Sequence, residues 1–237
     1  MKLTHDNVWK NKPSEKTVFV TDFFHKAVPV LDKNKKIRVV LDVACGNGVG
    51  ATLPILRRGL EVYAFDHLDS AIKAVKKNSK NEGFKVHTKK ASMYKRFPYK
   101  NNFFDAVFCF QAIYHGKLEQ ITFTLSEIKR VLKENGHFFA TILNYELVRY
   151  DKKRKLHYFN VKLPKKNMFR SYLKQYKKEP HLFYFLSKDF EYMQAHYYFS
   201  KDELEKTLKK YFRKVEIKKV TGKPTKLDKF WYVHCQK

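Results

Sequence analysis

The stretch Leu41-Asp42-Val43-Ala44-Cys45-Gly46-Asn47-Gly48 decides the fold. It ends the run Ile-Arg-Val-Val-Leu-Asp-Val at residues 37–43, whose β-branched, mostly apolar character reads as a buried parallel strand. The small residues at 44, 46 and 48 let the backbone turn sharply and approach a ligand closely. Residues 48–58 then read as a helix aimed at that turn. Pro54, one turn inside, requires a late start or a kink near Leu53.

The same alternation continues outward. Residues 60–66, 84–89, 104–110 and 137–143 read as further strands. Residues 69–80 read as a helix capped by Asp69 or Ser70, with Ile72 and Val75 facing inward. Residues 118–132 carry Ile121, Leu125, Ile128 and Leu132 at helical spacing, and Asn135-Gly136 ends that helix. Strands alternating with helices predict a parallel sheet covered on both faces. The last two strands, 215–220 and 230–235, are separated by too few residues for a crossover helix and must pair antiparallel.

The expected architecture is therefore a single α/β domain over 1–237. It holds a Rossmann-like, seven-stranded, mostly parallel sheet whose last strand is antiparallel. Residues 1–36 form a helical lead-in, 37–143 a cofactor-binding core, and 200–237 a helix and β-hairpin. Ser200 caps that last helix, with Glu203 at capping-box spacing. Residues 144–199 differ: Lys, Tyr and Phe abound, and Pro164 and Pro180 interrupt them. They read as a helical or irregular lid inserted after strand five.

A 237-residue chain that is 43% hydrophobic can bury a substantial core. The net charge of +27 suits a polyanionic partner such as RNA, or simply reflects a lysine-rich proteome. Only nine of the 50 basic residues are arginine, the residue that makes forked contacts to nucleic acid, which favours the second reading. Cys45, Cys109 and Cys235 are far apart, sit in apolar or Gly-rich runs and read as small buried residues. No His/Cys/Asp/Glu cluster has metal-ligand spacing. With no signal-peptide core and no apolar run of membrane-spanning length, a cytoplasmic protein is expected. Oligomeric state is left open.

Two acids give the turn its chemistry. Asp66 follows Gly46 by 20 residues and ends strand two, where a carboxylate can take both ribose hydroxyls of a nucleoside. Gly46-Asn47-Gly48-Val49-Gly50-Ala51 also fits the G-x-G-x-x-A dinucleotide pattern, a weak signal alone. Asp42 argues against pyrophosphate there, because its negative charge suits a cationic sulfonium ligand with an ammonium group.

The stretch resembles the glycine-rich first motif of the class I S-adenosylmethionine-dependent methyltransferases, with Ala44 in place of the usual first glycine. Ala91-Ser92-Met93, Phe97-Pro98-Tyr99 and 102–107 (Asn-Phe-Phe-Asp-Ala-Val) resemble the family's pattern around strand four. Ser92 stands where aspartate is frequent; its hydroxyl or the Met93 backbone can serve the adenine amino group instead. Residues 130–136 (Arg-Val-Leu-Lys-Glu-Asn-Gly) resemble the family's turn into strand five. The resemblance is dense over residues 35–143 and looser over the last 40. Trp9-Lys10 and Tyr114-His115-Gly116 are similar to a subgroup of small-molecule methyltransferases near the tellurite-resistance enzymes.

The resemblance implies S-adenosylmethionine as cofactor and S-adenosylhomocysteine as product. It places the cofactor against Asp42, Ala44, Gly46, Gly48, Asp66, His67, Ser92, Met93, Phe110 and Gln111. It further implies an in-line methyl transfer in which placing donor and acceptor is the main catalytic effect. His115 is the candidate base. Tyr114, His115 and His196 are candidate acceptor-side residues, with Tyr114 and His115 facing the open mouth. Residues 149–185 interleave bases and aromatics, as in Arg149-Tyr150, His157-Tyr158-Phe159 and Phe169-Arg170. Such a segment can cover a small acceptor or stack on RNA bases. A small-molecule acceptor is the main reading, RNA or protein the alternative, and a non-catalytic binding module the third.

Overall fold

The computed structural model describes residues 18–163, 166–176, 179–186, 195–219 and 230–237. Trp9-Lys10, Pro164 and the 221–229 connection lie outside them, as do the side chains of Phe159, Phe169, Arg170 and Tyr172. Helix α1 (Val18–Lys33) leads into β1 (Val39–Val43), α2 (Thr52–Leu56), β2 (Glu61–Asp66), α3 (Asp69–Asn81), β3 (His87–Lys90) and β4 (Phe104–Cys109). Helix α4 (Leu118–Val131) then precedes β5 (Leu132–Asn144). The order of the parallel strands is β3-β2-β1-β4-β5.

After β5 come β6 (Arg149–Asp151), β7 (Leu156–Leu163), β8 (Lys166–Tyr176), β9 (Glu179–Leu186) and β10 (His196–Phe199). Helix α5 (Lys201–Leu208), β11 (Lys214–Lys219) and β12 (Phe230–Gln236) close the described chain. Strand β12 is antiparallel to both β5 and β11, so the antiparallel pair lies where the short connection required it. Among the described residues the sheet has twelve strands, not the seven expected. The extra five correct the expectation of a helical or irregular insertion. Residues 149–163, 166–176 and 179–186 hold an antiparallel meander, β6 to β9, whose many aromatic residues suit paired strands.

The register shows where the meander is attached. Leu143 pairs at once with Phe230 of β12 and Tyr198 of β10, so those two strands flank β5 on opposite sides. Phe138 likewise pairs with both Val107 of β4 and Cys235 of β12. Strand β10 therefore sits on the β4 side of β5, beyond the end of β4. The meander grows from the carboxyl edge of the sheet.

Two apolar layers hold the sheet. Ile121, Leu125, Ile128, Leu204 and Leu208 of α4 and α5 pack on one face, and Phe23, Phe24, Ala27, Leu53 and Ile55 of α1 and α2 on the other. Val75 of α3 joins Ala64 and Cys45. All three cysteines are buried. Several boundaries differ from expectation. Helix α2 makes the late start that Pro54 required, at Thr52, with Pro54 in its first turn where its missing N–H costs no bond, but it ends at Leu56, short of residue 58. Leu68, not Asp69 or Ser70, precedes α3 and makes no side-chain cap; Asp69 instead pairs with Lys90. Helix α4 ends at Val131, ahead of Asn135-Gly136. Asp105 accepts the Arg38 and Val39 amides and pairs with Lys133, tying the starts of β1, β4 and β5.

Candidate active site

The turn after β1 is built from left-handed backbone and two buried carboxylates. Ala44, Gly46 and Gly48 have φ of +56°, +54° and +82°. A Cβ on Gly46 would meet nothing within 4 Å, so this side of the turn is open. One on Gly48 would lie 2.5 Å from Val75 Cγ2. Gly48 therefore lets the turn pack closely on α3. At Ala44 the left-handed conformation strains an L side chain by about 1–2 kcal/mol.

Asp42 is buried, and its Oδ2 accepts both the Thr52 amide (3.1 Å) and the Thr52 hydroxyl (2.6 Å). Burial pushes its pKa up to about 7; the Thr52 bonds pull against that, and the nearby Asp66 adds to it. Asp66 accepts the Gly46 amide on Oδ2 and the Leu68 amide on Oδ1, each at 3.0 Å. Burial opposes its ionisation, but hydrogen bonds from His67 and from these two amides hold its pKa below the ordinary carboxylate range. His67 is half exposed beside it, Nδ1 3.4 Å from Oδ1. The two acids thus differ by environment: one is fixed as an anion, the other poised near neutrality.

The next wall is the segment between β3 and β4. Ala91 N–H donates to Asp66 O, Ser92 Oγ accepts the Tyr94 amide, and Met93 O accepts from Thr124. Residues 97–101 are clamped from α4. Glu127 accepts the Phe97 amide at 2.7 Å and pairs with Arg130, which also donates to the Phe97 and Tyr99 carbonyls. This clamp explains in physical terms why Phe97-Pro98-Tyr99 and Arg130 occur together.

Beyond β4, Phe110 is buried against Phe23 and Phe108. Gln111 takes φ +54°, its amide held by Thr141 Oγ1 at 2.7 Å. His115 Nε2 lies 3.2 Å from Gln111 O. A carbonyl only accepts, so this contact is a hydrogen bond with the proton on Nε2. The His115 and His196 rings meet edge-on at 4.6 Å, and Tyr94 Oη bonds the His115 carbonyl. Tyr114 does not face an open mouth as expected: it is buried against His196 and Phe230, because β10 lies over it and Tyr197 N–H bonds its carbonyl. Burial pushes its phenol well above the usual range.

All the expected cofactor-side residues lie at the carboxyl ends of β1, β2 and β4 or just past β3. His115 and His196 come together from positions 81 apart in the chain. Thr52 and Thr141, which hold Asp42 and Gln111, carry no sequence signal that would single them out. A further cluster also escaped the sequence reading. Glu203 accepts from His181 Nδ1 at 2.5 Å and from Tyr197 Oη at 2.6 Å, while Tyr145 packs on His181. Ser200 does cap α5, but the Glu203 carboxylate is turned to β9 and β10 instead of closing a capping box.

The fold is similar to that of solved S-adenosylmethionine-dependent methyltransferases. Residues 40–136 match the family described as a methyltransferase domain. Two curated ubiquinone biosynthesis O-methyltransferases are similar to it. The one from Rickettsia canadensis is 29% identical over 105 residues, 44% of this chain and 42% of that protein. The one from Pelagibacter ubique is 30% identical over 119 residues, 50% and 48%. The matched segment spans less than half the length of each relative. An S-adenosylmethionine-dependent methyltransferase from Clostridium acetobutylicum superposes with a TM-score of 0.60 at 16% identity, over 98% of this chain and 95% of that one. Among the described residues, no helix is long and apolar enough to cross a membrane.

Proposed function

We propose that the chain transfers a methyl group from S-adenosylmethionine to a small-molecule acceptor, leaving S-adenosylhomocysteine. The observation that carries this is the pair of buried carboxylates, Asp42 and Asp66, either side of a turn whose Gly46 faces open space. Asp66 is held anionic at the end of β2, and its remaining lone pairs suit a ribose diol. Asp42 offers negative charge to a cationic ligand. Ser92 and Met93 border the adenine side, with His67 exposed at the rim. The bound cofactor supplies a methyl group already activated on a sulfonium.

The protein's own contribution is to place the acceptor. The wall after β4, with Gln111, His115 and His196, faces that task, and the meander covers it as a lid. Acceptor atoms that carry a proton need a base, and His115 is the candidate. The small-molecule reading draws support from the names of the two curated relatives. The second reading, RNA as acceptor, is favoured only by the net charge of +27.

Calorimetry with S-adenosylmethionine and with NAD tests the donor site; binding of NAD without the former would overturn the proposal. Asp66→Ala should weaken cofactor binding at least tenfold. A bound cation favours ionised Asp42, so binding just below pH 7 should release a proton, seen as a dependence of the heat on the buffer's ionisation enthalpy. Transfer of labelled methyl into small-molecule pools but not total RNA is the expected acceptor result. Binding with no transfer to either would leave a non-catalytic module.

A further inference from the structure

The charge of this protein is unevenly spread over the sheet. Residues 67–100, which form α3, β3 and the segment after it, hold ten Lys and Arg against two Asp and Glu. Residues 104–147, across β4, α4 and β5, hold four against five. On α3, Lys73, Lys76, Lys77 and Lys80 fall at helical spacing and are all exposed, while Val75 on the opposite side packs inward. Lys89 and Lys90 extend the exposed basic surface along β3, the outermost strand of the sheet on this side. Both local acids are already engaged, Asp69 by Lys90 and Glu82 by Arg57, so they do not neutralise the helix lysines.

We propose that this face of α3 and β3 adsorbs the protein onto an anionic lipid bilayer. Three features favour a bilayer over nucleic acid. The basic groups are nine lysines to one arginine, point charges without the fork that grips a phosphate in a fixed geometry. They stand on a helix ridge beside a sheet edge, not in a groove that tracks a strand. Phe123 and Tyr150, the large exposed apolar side chains of the described residues, are elsewhere, and the two imidazoles of the segment are engaged, His67 beside Asp66 and His87 stacked on Tyr63. A diffuse cationic face of net charge +8, twice that of the α5 and β11 flank, where residues 200–219 hold eight Lys and Arg against four Asp and Glu, is attracted and oriented by a plane of negative charge. Without an apolar anchor the adsorption is reversible and salt-sensitive. Lys90 pairs in register with Asp66, so the face adjoins the cofactor-side rim and adsorption sets the mouth beside the membrane plane. The inference stands independently of which acceptor the enzyme takes.

The test is co-sedimentation of the full chain with vesicles of phosphatidylcholine, with and without about one-third phosphatidylglycerol. Binding is expected only to the anionic vesicles and is lost at high salt. Each lysine near such a surface is worth about fivefold in partition. The variant Lys73→Gln/Lys76→Gln/Lys77→Gln/Lys80→Gln should therefore lose at least tenfold. A control with equal charge loss on the other flank, Lys129→Gln/Lys201→Gln/Lys206→Gln/Lys210→Gln, should lose less than threefold. Absence of binding to anionic vesicles, or equal loss in both variants, overturns the proposal. So does a patch variant that loses affinity for a single-stranded oligoribonucleotide while its vesicle partition is unchanged.

Discussion

The proposed donor side and the proposed acceptor side of this site are built in different ways. Around β1 and β2 the geometry is made by backbone: left-handed residues in one short turn, with amides closing on Asp66 and Asp42. Around β10 it is made by side chains brought from distant parts of the chain, with rings of Tyr114, His115, His196 and Phe230 in contact and Glu203 joining β9, β10 and α5. A site made by local backbone is tolerant of surface change but intolerant at single turn positions. A site made by cross-chain side-chain contacts can vary its lining while the sheet stays the same.

That contrast can be tested from the largest effect downward. Arg130→Met should cost about 3–5 kcal/mol, because it leaves Glu127 ionised, nearly buried and without its cation, and frees the 97–101 wall. Urea unfolding measures it; a loss below about 1 kcal/mol would show that the clamp is incidental. Glu127 is held below its usual pKa by Arg130 and the Phe97 amide despite burial. Its contribution is therefore present above the unfolded pKa and lost as pH falls through the folded one.

Next, Gly48→Ala should cost about 2–4 kcal/mol, combining left-handed strain with the 2.5 Å approach to Val75. Gly46→Ala, strained but meeting no atom, should cost only about 1–2 kcal/mol. Equal losses in thermal melts would mean that packing on α3 does not distinguish the two glycines.

On the acceptor side, Glu203→Gln should cost about 1–2 kcal/mol, the low end for charge-assisted bonds because the group is partly exposed. Burial opposes ionisation of Glu203, and the bonds from His181 and Tyr197 outweigh it, so its pKa is lowered. The wild-type advantage should then be full above the unfolded carboxylate pKa and disappear as pH falls through the folded value. An advantage that persists unchanged in acid would assign the effect to packing. Smallest of all, Ala44→Gly should stabilise by less than about 1 kcal/mol: relief of left-handed strain is partly cancelled by the greater freedom of glycine in the unfolded chain. Destabilisation in calorimetric melting would contradict the strain at Ala44.

The sequence by itself determined the parallel sheet, the turn after β1, the place of Asp66 at the end of β2 and the antiparallel closing pair. Each follows from short-range facts: apolar period, small residues at a strand end, an acid one unit further on, and a connection too short for a crossover. Even there it misjudged local ends, such as the cap of α3, where Asp69 took Lys90, and the second half of the α5 capping box, where Glu203 took His181 although Ser200 caps the helix as expected. Only the tertiary structure decided that residues 149–186 are strands. Alternating Lys, Tyr and Phe interrupted by proline has no clear period, and pairing with neighbouring strands supplies what the local pattern lacks. It alone buried Tyr114 beneath β10, set His115 against His196, and turned Glu203 to His181. These contacts join segments far apart in the chain, and their energy depends on which strand lies beside which, a property that no local spacing encodes.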